Sequence, residues 1–155
     1  MHSVPLNGTV LAMNEPIGVI GMIAPDVAPL SGFAAMLAPA LAMGNRVVIV
    51  PGAANPLVAT DFYQVLETSD VPAGAVNIVT GAASELAPVL AAHNDVDALW
   101  YAGPQVGAAD IEALSAGNLK RLWMRPGTDA LRETAARTAL AEATQVKNVW
   151  VPYGE

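Results

Sequence analysis

Asp26 and Arg125 are the charged residues whose settings invite chemistry. Each follows a largely apolar run, residues 17–24 and 119–124, and each stands beside a proline, as Pro25-Asp26 and Arg125-Pro126. If those runs are parallel strands, both side chains lie at carboxyl ends, where open α/β sheets receive ligands. Two roles compete for Asp26, a carboxylic acid and an N-cap for the helix that follows, and the capping role is the expected one. A guanidinium cannot accept a proton at neutral pH, so Arg125 is no general base; it is expected to pair with Asp26 across that edge. Glu85, Asp95 and Asp97 read as solvated loop or helix-end charges. Trp100 and Tyr101 end a strand and read as core or cleft filling rather than as ligand stackers.

What is missing narrows the chemistry further. The chain has no cysteine, which excludes disulfides, thiolate metal sites and a cysteine nucleophile. Its two histidines, His2 and His93, are far apart in sequence, and no metal site is expected. The net charge is −7 with only 7 Lys plus Arg, a balance that repels phosphate backbones and argues against a nucleic-acid partner.

The elements that must hold these residues follow from the pattern of apolar runs and breakers. Residues 17–24 and 46–50 read as buried strands around a helix over 30–43, closed by Gly44-Asn45. Asn55 and Pro56 open a helix reaching about residue 69, with Asn55 as N-cap. Further strands are expected at 75–80, 96–101 and 119–124, with helices at 84–93, 106–114 and 130–143, the last capped by Thr128-Asp129. Residues 146–153 form a terminal strand. Near the start, Asn7-Gly8 between short apolar stretches predicts a two-residue hairpin within 3–13, or a plain lead-in to the sheet. Strands alternating with helices predict one α/β domain over residues 1–155, a Rossmann-like, open, mostly parallel doubly wound sheet with that short hairpin and terminal strand. At 155 residues and 54% hydrophobic, the chain can bury a real core. No apolar run reaches membrane-spanning length and no signal peptide is seen, so a soluble, cytoplasmic protein with no membrane partner is expected.

Several stretches, taken together, resemble the NAD-binding domain of aldehyde dehydrogenases. They are Glu15-Pro16-Ile17-Gly18-Val19-Ile20-Gly21, Leu37-Ala38-Pro39-Ala40-Leu41-Ala42-Met43-Gly44-Asn45-Arg46-Val47-Val48, Val71-Pro72-Ala73-Gly74-Ala75-Val76-Asn77-Ile78-Val79, Val96-Asp97-Ala98 and Asn118-Leu119-Lys120. They run in the family's order and near its spacing from residue 14 to about 127. The resemblance implies a Rossmann-like sheet with an oligomerisation ribbon, and NAD as the family's cofactor.

The positions that carry the family's chemistry depart from its pattern. Where the family has Pro-Trp-Asn-Phe-Pro, with Asn donating to an oxyanion, this chain has Pro25-Asp26-Val27-Ala28-Pro29, and Val27 has no donor. The ribose-holding Lys-Pro-x-Glu becomes Val50-Pro51-Gly52-Ala53. The phosphate-cradling Gly-Ser-Thr-Glu-Val-Gly becomes Gly103-Pro104-Gln105-Val106-Gly107, one residue shorter, and Pro104 removes a backbone N–H. Arg125 stands where the family has its general-base Glu, and the family's nucleophilic Cys falls past the last residue. The resemblance therefore implies a degenerate domain with no catalytic residue and no bound cofactor. Vestigial cofactor positions remain at Ile23, Pro25, Pro51, Gly103, Val106 and Gly107.

The pattern is similar to the inactive C-terminal domain of family 16 aldehyde dehydrogenases, which implies a structural or oligomerisation role. A catalytic aldehyde dehydrogenase domain, or a second copy, is the implied partner. Val149, Trp150 and Val151 on the terminal strand (146–154) are then interface residues, with Trp150 as anchor unless it is buried in its own domain. Met1-His2 is read as the start of an excised domain or a split gene product. The alternative is an NAD(P)-binding fragment of an aldehyde-oxidising enzyme with weakened cofactor affinity.

Overall fold

The computed structural model describes residues 2–3, 8–104, 107–125 and 133–152. Its centre is a strand, β3 (Val19–Ile23), whose residues point alternately to two faces of a sheet. Ile20 and Met22 enter one apolar cluster, and Ile23 enters the other. At Gly21 a Cβ would already touch Leu99 and Val96 at 3.3 Å, so that face packs directly against its neighbours.

β3 pairs in parallel with β4 (Arg46–Val50) on one side and β6 (Ala98–Tyr101) on the other. The edges are β5 (Val76–Ile78) beside β4 and β7 (Arg121–Met124) beside β6. The order β5-β4-β3-β6-β7 reverses direction at β3, which makes the carboxyl ends of β3 and β6 the switch point of a doubly wound sheet. Short apolar strands buried on both faces and joined through helices have this outcome. The predicted fold class therefore stands.

The crossovers sort to both faces. Helix α1 (Pro29–Ala42) sends Phe33, Met36, Leu37 and Ala40 into the first cluster. Gly44, at φ 85°, ends it, and Asn45 N–H bonds the Ala40 carbonyl at 3.1 Å. Two one-turn helices follow, α2 (Leu57–Asp61) and α3 (Tyr63–Glu67), in place of the single helix expected. Pro56, not Asn55, caps α2, and it makes no side-chain capping bond. On the other face α4 (Ala83–Ala92) and α5 (Ala108–Ser115) bring Ala87, Ala91 and Ile111 against Leu99 and Tyr101. A 3₁₀ turn (Ala116–Asn118) leads into β7.

A second sheet, three-stranded and antiparallel, has the order β1-β2-β8, from β1 (His2–Ser3), β2 (Gly8–Pro16) and β8 (Thr144–Pro152). The register corrects the two-residue hairpin. Ser3 pairs with Thr9 and Gly8 is itself a strand residue opposite Pro152, so Asn7-Gly8 is not the turn. Residues 4–7, and the expected Thr128-Asp129 cap, lie outside the described residues. The terminal strand begins two residues earlier than expected and pairs with β2 over nine positions, from Gly8↔Pro152 to Pro16↔Thr144. Helix α6 (Glu133–Glu142) precedes it and places Ala139 in the first cluster. Among the described residues no helix is long and apolar enough to cross a membrane.

Candidate functional site

The loops that follow β3, β4 and β6 lie at the carboxyl edge of the parallel sheet, with Arg125 at the end of β7. After β3 the chain is held by Ala24 N–H on the Val50 carbonyl at 2.9 Å, and Ile23 and Pro25 are buried. Val27 is 54% exposed and has only methyl groups to offer there. Ala28, in the left-handed region at φ 52°, is the residue that caps α1; its carbonyl accepts Gly32 N–H at 2.7 Å.

Asp26 is therefore not the N-cap expected of it. Its Oδ1 reaches the next loop and accepts Ala53 N–H at 2.6 Å and Ala54 N–H at 3.4 Å. That loop is itself seated tightly, with Pro51 and Gly52 buried. A Cβ on Gly52 would lie 2.5 Å from the Pro25 carbonyl oxygen and 3.0 Å from Asp26 Cα, so the two loops touch backbone to backbone.

The expected Asp26–Arg125 pair does not form. Asp26 is turned toward β4, whereas Arg125 sits at the end of β7, with its N–H on the Tyr101 carbonyl at 2.8 Å. Its guanidinium lies over the Trp123 ring, 5.0 Å from the centroid, and Trp123 stands edge-on to buried Trp100 at 4.6 Å. The cavity beside these groups, near Met36 and Ala139, is about 10 Å³, room for one water at most.

After β6, Tyr101 Oη donates to the Pro104 carbonyl at 2.9 Å, and its ring packs so closely on Gly103 that a Cβ there would be 2.8 Å from it. Burial raises the Tyr101 phenol above its ordinary 10.0. Trp100 and Tyr101 thus fill core, as expected. Val106, with Gln105, lies outside the described residues. Gly107 turns the chain at φ 88° into α5, whose first turn carries Asp110, a charge that disfavours an anion at that end. Between α4 and α5 lies a pocket of about 180 Å³ lined by Ser84, Pro88, Tyr101, Gly107 and Asp110. Larger grooves, about 360 and 390 Å³, lie around Val71 to Ala73 and are remote from this edge. Among the described residues no three His, Asp or Glu side chains come together as metal ligands would.

Other polar side chains turned out to be structural in ways their sequence positions did not announce. Asp97 is not merely solvated, since its Oδ2 accepts Val19 N–H at 2.8 Å. Buried Lys120 donates to the carbonyls of Leu90 at 3.2 Å, His93 at 2.7 Å and Val96 at 3.2 Å. Desolvation lowers its pKa from 10.5, and nearby Asp97 opposes that. Asn45, 3% exposed, accepts Gly18 N–H at 3.0 Å and donates to the carbonyls of Ala40 at 3.0 Å and Ala143 at 2.9 Å. The residues expected at an interface are split: Trp150, 57% exposed, and Val151 face solvent, and Val149 is half-buried.

A parallel doubly wound sheet beside an antiparallel ribbon defines the Rossmann-like α/β class of protein. Comparison with known proteins narrows the class. The chain belongs to the aldehyde dehydrogenase family, whose model matches residues 2–132. It is 39% identical over 116 residues to aldehyde dehydrogenase 1 of Tanacetum cinerariifolium, a match covering 74% of this chain and 23% of that one. To the NADP/NAD-dependent aldehyde dehydrogenase PuuC of Escherichia coli it is 35% identical over 118 residues, 76% of this chain and 24% of that one. The crystal structure of an indole-3-acetaldehyde dehydrogenase in apo form superposes with a TM-score of 0.74 at 32% identity, over 81% of this chain and 29% of that one. The chain thus spans about a quarter of the length of the relatives it matches.

Proposed function

We propose that this chain is a non-catalytic aldehyde-dehydrogenase-like domain with a structural role, part of or partner to an active aldehyde dehydrogenase. One observation carries the reading: the carboxyl edge presents Val27, Ala53 and Arg125 where aldehyde oxidation needs an oxyanion donor, a ribose-holding carboxylate and a proton acceptor. A hydrocarbon side chain neither donates nor accepts, and an arginine held over Trp123 has no lone pair to offer. The residues present do not fit NAD in the family's manner. The N–H groups at Ala53 and Ala54 are already taken, and Pro104 has no N–H.

The structural half of the proposal draws on the ribbon. Leu11, Met13, Val146, Trp150 and Val151 are exposed apolar side chains on β2 and β8, and β8 is an edge strand. They suit contact with a catalytic domain or with a second copy, in the arrangement of an inactive family 16 C-terminal domain working in the cytoplasm. The second reading, an NAD(P)-binding fragment with weak affinity, is favoured by the pocket of about 180 Å³ between α4 and α5. It is favoured also by the same indole-3-acetaldehyde dehydrogenase fold being solved with NAD+, at a TM-score of 0.74 to this chain.

Calorimetric titration with millimolar NAD and NADP separates the two. The proposal expects no heat and no thermal stabilisation. Saturable binding tighter than about 1 mM, roughly −4 kcal/mol, overturns it in favour of the cofactor-binding reading.

A further inference from the structure

Two successive backbone N–H groups, those of Ala53 and Ala54, converge on a single carboxylate oxygen of Asp26. Consecutive N–H groups aimed at one point form an anion-receiving concavity. Here the anion is supplied by the chain's own preceding loop. Asp26 is exposed, and no part of α1 needs it, because Ala28 caps that helix through its backbone. The contact has a mechanical partner in the Gly52 backbone, which sits against Pro25 and Asp26 without room for a Cβ. The carboxylate and the close backbone approach therefore join the same two loops at adjacent residues.

We propose that Asp26 is an internal latch: its carboxylate occupies the N–H groups of residues 53 and 54 as a ligand's anionic group would, and holds the β3–α1 and β4–α2 loops closed on each other. This rests on the reading that this edge is not a working cofactor site, and it adds what holds the two loops together there. A charge-assisted bond to N–H is stronger than a neutral one, so a neutral residue at 26 weakens the closure without disturbing the buried Pro25 and Pro51 beneath it.

The test needs no variant to begin. In the intact chain, NMR follows the carboxyl carbon of Asp26 and the amide protons of Ala53 and Ala54 as pH is lowered. The latch requires all three to move with one common midpoint, and the amides to move upfield as the carboxylate is lost. Amide shifts that ignore the Asp26 titration overturn it. A second measurement compares amide exchange in D26A and D26N with the parent. Exchange at Ala53 and Ala54 should quicken about tenfold or more in D26A and less in D26N, with Val79 and Arg125, bonded to Ile49 and Tyr101, unchanged. Unchanged exchange at 53 and 54 in a folded D26A overturns the latch. Binding of NAD by the parent chain would instead overturn the non-binding reading and leave these two results as they are, so the two failures are told apart.

Discussion

Replacing Asn45 with alanine is the most searching test of how this domain holds together. The Asn45 amide joins three elements: Gly18 N–H at the entry to β3, the Ala40 carbonyl at the end of α1, and the Ala143 carbonyl where α6 gives way to β8. The Ala40 carbonyl keeps a second donor in Asn45 N–H at 3.1 Å, so its loss is partial. Gly18 N–H and the Ala143 carbonyl each lose the bond made to them here. A buried group left without its partner costs about 1–3 kcal/mol, so Asn45→Ala should lower stability by about 3 kcal/mol. Against the 5–15 kcal/mol typical of a whole domain, that is a large fraction. It corresponds to a fall of roughly 6–12 °C in Tm at this chain length. Asn45→Asp, with oxygen in place of the donating NH₂ and facing carbonyls at 3.0 and 2.9 Å, should be at least as damaging. Urea unfolding followed by tryptophan fluorescence measures both variants, and amide exchange in β8 reports whether the terminal strand loosens first. An alanine variant that loses less than about 1 kcal/mol refutes the claim that this amide ties the terminal segment to the sheet.

Two further outcomes are expected. Lys120 has a lowered pKa in the fold, so between that value and 10.5 the unfolded chain holds more protons than the folded one, and stability should rise with pH across this window. Tyr101, raised above 10.0, works in the opposite sense from pH 10.0 upward, so the rise should turn over in alkaline solution. Urea midpoints from pH 8 upward should show the rise in the parent and not in Lys120→Met. Trp150 is more than half exposed on β8, so Trp150→Ser should change the stability of the isolated chain by less than about 1 kcal/mol. The same change should weaken self-association or binding to a catalytic aldehyde dehydrogenase domain at least tenfold, read by sedimentation velocity.

The strands and helices of the parallel sheet were legible because their signals are local. β4 spans the predicted residues 46–50, and α1, α4 and α5 lie within one or two residues of expectation, since apolar period and breakers such as Gly44 act over a few residues. The ribbon was read less well. Asn7-Gly8 has the composition of a tight turn, but Gly8 pairs with Pro152, a partner at the far end of the chain. Likewise Asp26 stands three residues before a helix, the right neighbourhood for a cap, and its carboxylate goes instead to residues 53 and 54. Pairing Asp26 with Arg125 failed for a related reason. Opposite charges at one sheet edge are attracted, yet two nearby N–H groups and an aromatic ring gave each a closer partner.

By itself the sequence determined which side chains are available at the carboxyl edge. No thiol, no donor at Val27 and no base at Arg125 follow from residue identity, and no folding can restore them. It determined the alternation of strand and helix as well, because side-chain periodicity is written residue by residue. Only the tertiary structure decided where Asp26, Asn45, Asp97 and Lys120 spend their hydrogen bonds. Most of their partners are backbone N–H and C=O groups, which every residue carries alike, so no residue type marks them in advance. Which of them comes within 3 Å of a given side chain is settled by how β3, β4 and the loops beyond them pack.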